Sequence, residues 1–273
     1  MTRTIRPPLL GALLILALAA GLVPAGAADP RGQKAPARNI GGPGDYALRE
    51  KLIRRIANDP ELSRLGLSLA LVNGGAVFSG HAATWTQKRR ALTLAATSRG
   101  IVNVTDQVQI ARGEVKDEAL QKALSALLVD QRETLGMLEI EVRVQDGTAT
   151  LSGTVKDFAR RVRAEEMAGT VLGVTRLVNR LRPANAPSGT DEASVRRALV
   201  SYLGDHREYP YSGEIEVQVD PARVTLRGRV PLFVARQQAA TMAALVGGGR
   251  EVENRIKVDP SVQMLAVTVK ERP

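Results

Sequence analysis

The side chains that could do chemistry are few, and their spacing argues against most reactions. The chain has no cysteine and two histidines, His81 and His206. Thiolate chemistry is therefore excluded, and a histidine-based metal site is poorly supported, because the two rings lie far apart at non-equivalent places of different internal copies. The acidic pairs Glu139/Glu141 and Glu214/Glu216 resemble a general acid and base. An i, i+2 spacing within an alternating stretch, however, puts both carboxylates of a pair on the solvent face of a strand. Gly247-Gly248-Gly249 lacks the strand before and the helix after that a phosphate-cradling loop requires. On these grounds no catalytic residue, cofactor or metal is expected, and the chain reads as non-enzymatic.

What remains is binding chemistry. Trp85, the single tryptophan, precedes Lys88, Arg89 and Arg90. An indole beside a cationic cluster suits the headgroup level of a membrane, where each Lys or Arg near an anionic surface adds about 1 kcal/mol. These four residues are the candidate contact for anionic phospholipid. A competing reading is packing, because Phe158 and Phe233 stand at the equivalent places of two internal repeats, and an aromatic kept at all three would seat a helix start on its own core.

Charge supports a surface partner over nucleic acid. The net charge of +10 falls to +8 without Arg3 and Arg6, and the excess is polarised: residues 45–112 hold ten Lys/Arg against five Asp/Glu, whereas 117–182 and 191–259 each hold ten against ten. A basic excess confined to the N-terminal third points to an anionic surface. The first residues fit that setting. Arg3 and Arg6 precede an apolar run from Leu9 to Val23, and Ala25-Gly26-Ala27 offers small residues for cleavage. A run shorter than the ~20 residues of a spanning helix reads as a cleaved secretory signal over 1–27. Residues 28–44, rich in Gly, Pro and Ala, follow as a disordered linker. Export without cysteine suits the periplasm, with a core held by burial alone.

The elements that position these residues come in three copies. Gly80, Gly153 and Gly228 are spaced 73 and then 75 apart, and the same offsets relate Gly100, Gly173 and Gly248, then Asp106, Asn179 and Asn254. Each copy opens with an Asp able to cap a helix (Asp45, Asp117, Asp191). A period-two stretch follows, as in Ile140, Val142 and Val144, which reads as a strand with one wet face. Asn73-Gly74 and Asp146-Gly147 make tight hairpins, whereas Asp220-Pro221-Ala222 demands another turn. After the strand glycine, where a bend or a close backbone approach is expected, comes a second, Ala-rich helix. Thr84 with Gln87 forms a capping-box pattern there, Asp157 caps the second copy, and Pro231 suits the opening turn of the third. A last strand completes an αββαβ module. The expected fold is α+β: three tandem modules over 45–112, 117–183 and 191–259, each with two helices packed on a small three-stranded mixed sheet.

This succession of hairpin, strand glycine, Ala-rich helix and Gly173-Val174 followed by Val178-Asn179-Arg180-Leu181 resembles the BON domain, named from osmotically inducible and nodulation proteins. The resemblance implies a periplasmic or outer-membrane-associated protein that contacts phospholipid or envelope partners and serves envelope integrity or stress tolerance without catalysis. Two other roles fit small α+β modules in series: a ring-like structural scaffold self-associating through sheet edges, and a holdase-type chaperone. The short joint from Pro183 to Gly189 predicts a hinged third copy, and the 260–273 tail is compatible with an edge strand or a loose end.

Overall fold

The computed structural model describes residues 42–131, 133, 137–184, 191–204, 213–262 and 267–271. The expected signal segment, most of the linker, His206 and residues 185–189 of the expected joint lie outside them. Within the unit Ala37–Pro273, the alternating stretches pair as their period demands. In the first module α1 (Pro43–Ala57) precedes the hairpin β1 (Leu67–Val72) and β2 (Gly75–Ala82), then α2 (Trp85–Ala96) and β3 (Asn103–Ile110). The second repeats this order as α3 (Asp117–Asp130), β4 (Met137–Gln145), β5 (Thr148–Val155), α4 (Phe158–Gly169) and β6 (Arg176–Pro183). The third comprises α5 (Glu192–Gly204), β7 (Gly213–Val219), β8 (Arg223–Val230), α6 (Phe233–Val246) and β9 (Glu251–Val258). In every copy the first two strands are antiparallel and the second and third parallel. The expected α+β modules are therefore present. The tail supplies β10 (Val267–Glu271), which pairs in parallel with β7 and makes the third sheet four-stranded.

Alternation decides which side chains enter the cores. Leu69 and Leu71 of β1 and Phe78 of β2 are buried against Ala91 and Ala95 of α2, and equivalent aliphatic clusters fill the other two modules. The strand glycines keep these sheets closed. Gly80 and Gly228 have φ of 110° and 128°, and a Cβ on them would lie 2.0 Å from the Gly66 carbonyl oxygen and 1.9 Å from that of Glu214. The close approach expected from sequence is thus between neighbouring backbones of one hairpin.

The helix-opening aspartates behave differently from the sequence expectation in two copies. Gly42 and Lys116 are the N-caps of α1 and α3, and neither helix has a side-chain cap. Asp45 instead accepts hydrogen bonds from the N–H groups of Asn73 (2.6 Å) and Gly74 (2.9 Å), and Asp117 from those of Asp146 (2.7 Å) and Gly147 (3.0 Å). Both turn residues of each hairpin have positive φ, and such a tight loop leaves its N–H groups without a strand partner. In the third copy the matching positions are Pro221 and Ala222, and proline has no N–H to give. Asp191 accordingly turns back and caps α5 through the Ser194 N–H at 2.8 Å.

Two outcomes follow. Gly228→Ala will destabilise the protein by at least the ~1–3 kcal/mol of backbone strain at such a φ, read as a lower denaturant midpoint. The hydrogen bond from the Gly147 N–H, followed by those from Asp146 and the Arg112 guanidinium, holds the Asp117 carboxyl below its usual range against a smaller opposing desolvation. Its stabilising effect is full above the unfolded value of about 3.9 and is lost as pH falls through the lower folded value. The melting-temperature gap between the wild-type protein and Asp117→Asn will accordingly be widest near neutral pH and close in strong acid.

Candidate functional site

The first turn of α2 is fixed by its cap. The Gln87 N–H donates to Thr84 Oγ1 at 3.2 Å, and Gln87 Oε1 accepts from the Thr84 N–H at 3.3 Å, which is the expected capping box. Trp85 is thereby held at the helix start, about 80–120° around the axis from Ala91 and Ala95 at 100° per residue. Those alanines let the helix rest close on its own sheet, and the large ring is directed elsewhere. It packs, part-buried, against the core of the second module. Thr86 Oγ1 donates to the Glu166 carbonyl in the last turn of α4 at 2.9 Å. The two helices come so close that a Cβ on Gly169 would lie 2.7 Å from Thr86 Oγ1 and 2.8 Å from Trp85 Cδ1.

The same device joins the third module to the first. Phe233, the first residue of α6, is buried in the core cluster of the first module with Val234 packed alongside. Arg99, just past α2, donates to the carbonyls of Pro260 (2.7 Å) and Val262 (3.0 Å). The expected own-core seat of the aromatics is therefore corrected for Trp85 and Phe233, each of which seats on a neighbouring module. The expected hinge of the third copy is corrected too, since its helix start and its exit are both tied to the first.

Lys88 does not join the other three residues picked from the sequence. Its ammonium donates to the Val108 carbonyl at 2.7 Å and pairs with Asp106 at 2.8 Å, while lying 5.8 Å from the Trp85 ring centroid. In the second copy Arg161 occupies this place, donating to the carbonyls of Asn179 (2.9 Å) and Leu181 (3.2 Å), and Asn179 Nδ2 donates back to the Arg161 carbonyl at 3.0 Å. Asn254 repeats that bond to Arg236 at 2.7 Å. The Asp106 side chain has no N–H to donate, and the Lys88 side chain bridges helix and strand in its stead. Sequence comparison of the copies contained this signal, because the change to Asp occurs where the helix carries Lys.

Trp85, Arg89 and Arg90 line one cleft of about 890 Å³ together with Arg163 of α4 and Gln238 of α6. Two of the residues that line it, Trp85 and Gln238, each bury a polar atom, Nε1 and Oε1, that has no hydrogen-bond partner among the described residues. Five arginines and four carboxylates line the cleft. The tightest pair is Arg90–Asp59 at 2.6 Å. Burial raises the Asp59 carboxyl, but the bond from Arg90 and the N–H groups of Glu61 and Leu62 together hold it below the usual range. Arg163–Glu166 at 3.5 Å and Arg89–Glu165 at 3.8 Å are looser, and the two guanidinium side chains are 65% and 57% exposed. They are the cations best able to turn toward a ligand at little cost, since exposed pairs contribute little. The other candidates lie apart from the cleft. His81 is exposed on β2, and Glu141 is exposed on β4, paired with Arg143 at 2.7 Å. Among the described residues no group of three His, Asp or Glu could hold a metal.

Because Trp85 is the only tryptophan, the junction carries its own reporter. Gly169→Leu will force α2 and α4 apart, and the Trp85 emission will shift to the red while the far-ultraviolet circular dichroism keeps its native shape.

A model of the BON domain matches the chain three times, at residues 44–112, 116–185 and 191–260. The chain is similar to osmotically-inducible protein Y of Escherichia coli (strain K12), with 27% identity over 147 residues, covering 52% of this chain and 72% of that protein. It overlaps two structures of CdsD, a structural protein of the type III secretion system of Chlamydia trachomatis. One is of its C-terminal domain, at 18% identity over 78% of this chain and 98% of the other; the second has 17% identity over 83% and 93%. Both give a TM-score of 0.23, too low to bear on architecture or assembly. With three family matches over most of its length and the αββαβ order found in each, this chain belongs to the BON-domain family.

Proposed function

We propose that this protein is a non-enzymatic component of the bacterial envelope, exported to the periplasm, which serves osmotic-stress tolerance by binding anionic phospholipid or anionic envelope partners. Family membership and the name of the Escherichia coli relative support the stress role. The observation that carries the binding role is the convergence of Trp85, Arg89, Arg90 and Arg163 on one cleft. The start of α2 and the body of α4 thus meet on a single site. Phosphate oxygens are the acceptors that guanidinium groups match best. Among the described residues no helix is long and apolar enough to cross a membrane; peripheral attachment through this cleft is the form of contact proposed.

Flotation of the intact protein with vesicles tests this reading. Vesicles containing phosphatidylglycerol will carry the protein upward at low salt and release it as salt rises, because exposed charges are screened within about 10 Å at 0.1 M. Replacing Arg89 and Arg163 together by alanine removes about 2 kcal/mol at ~1 kcal/mol per charge, close to thirtyfold in affinity. Equal flotation with purely zwitterionic vesicles, or an unchanged double variant, sinks the assignment.

A further inference from the structure

A second surface lies on the edge of the second module's sheet, away from the cleft. In the third module β10 covers the outer edge of β7, with Val267, Thr268, Val269, Lys270 and Glu271 opposite Gly213, Glu214, Ile215, Glu216 and Val217. Two residues of that acceptor are acidic, and Lys270 falls in register with Glu216. The matching strand of the second module carries the same Glu-Ile-Glu-Val at 139–142 as the third does at 214–217. Strand β4 is nonetheless an edge, paired only with β5 among the described residues. Its far end is already closed: the Val144 N–H, pointing away from β5, donates to Gln121 Oε1 at 3.0 Å. By the alternation of an antiparallel strand the N–H groups of Ile140 and Val142 point the same way, and among the described residues no strand stands opposite them. The stretch left open, 138–142, is the counterpart of the five residues that β10 covers. In the first module the matching positions are Leu65, Gly66, Leu67, Ser68 and Leu69, without an acid.

We infer that the β4 edge over residues 138–142 is a strand-acceptor site. It takes, in parallel, an extended segment of another polypeptide with β10's pattern: alternating β-branched residues and a lysine that falls beside Glu141. Main-chain bonds supply the affinity and the lysine–glutamate register the selectivity. A second copy of this chain is the poorer occupant. Its own β10 is tethered to its own β7 by the short lead-in after β9, and tethering gives an effective concentration in the millimolar range for short flexible links. The segment is therefore supplied by a different protein. This inference is independent of the phosphate-binding cleft, and its test contains no lipid.

The probe is a fluorescent synthetic peptide of residues 263–273, titrated into the intact protein and followed by anisotropy. Saturable binding is expected. Backbone N-methylation of alternate residues in one phase will abolish it and in the other phase preserve it, because only every second N–H faces the acceptor. Glu141→Lys will weaken binding several-fold, and a peptide with Glu at the Lys270 position will recover it on that variant. Glu216→Lys will leave it unchanged. Tolerance of both methylation phases, or sensitivity to Glu216→Lys in place of Glu141→Lys, overturns the site. Self-association of the intact chain that grows with concentration and vanishes on removal of 263–273 overturns the choice of a foreign strand.

Discussion

At Gly169 the last turn of α4 comes so near Trp85 and Thr86 that no side chain fits between them, and the placing of the first two modules follows from that approach. A ring that large cannot share the alanine face on which α2 lies over its own sheet, so it finds its apolar surroundings on the next module. The Thr86 hydroxyl then satisfies a carbonyl in the last turn of α4, where backbone acceptors have no partner within the helix. Burial, close approach and carbonyl satisfaction act on one spot. That spot also sets one wall of the cleft, because Arg89 lies one turn further along α2 and meets Glu165 of α4. The cleft is thus a by-product of how the modules dock, and no single module contains it.

Repetition of the fold has left room for positions to change work. A carboxylate at the start of the first helix ties down the hairpin in two copies and caps the helix in the third, and the switch follows from whether the turn offers N–H groups or Pro221. A basic side chain on the second helix reaches the last strand in the first two copies and bonds the same carbonyl there, but it adds a carboxylate in one and a second carbonyl in the other. In each case the hydrogen-bonding demand of the backbone is constant, and the side chain that meets it varies.

Much of the fold was legible in the sequence because its cues are local. Period-two stretches such as Ile140, Val142 and Val144, the Asn73-Gly74 turn and the Thr84–Gln87 box each depend on residues a few positions apart. The same is true of the strand glycines once the copies are aligned. What the sequence concealed is long-range. Nothing near Trp85 announces Gly169 as its seat, and nothing near Phe233 names the first module's core. The tail's choice of β7 also depends on a sheet edge formed far from it. The candidate site was legible in part, since residue type alone marked Trp85, Arg89 and Arg90. Lys88 was grouped with them by adjacency in sequence, whereas its ammonium is spent on Asp106 and Val108. Arg163 and Gln238 belong to other modules and could enter the site only through docking.

The burial of Phe233 in the first module's core has a consequence in time. A chain made from its N-terminus presents residues 45–112 first, yet the aromatic that closes this module's surface arrives well over a hundred residues later. The Arg99 grip on the Pro260 carbonyl, at a separation of 161 residues, comes later still. Closing so long a loop costs only about 0.6 kcal/mol more per doubling of its length, but contacts this distant in sequence form slowly. The module that emerges first is therefore completed last, and until then its apolar face is open to whatever shares its compartment.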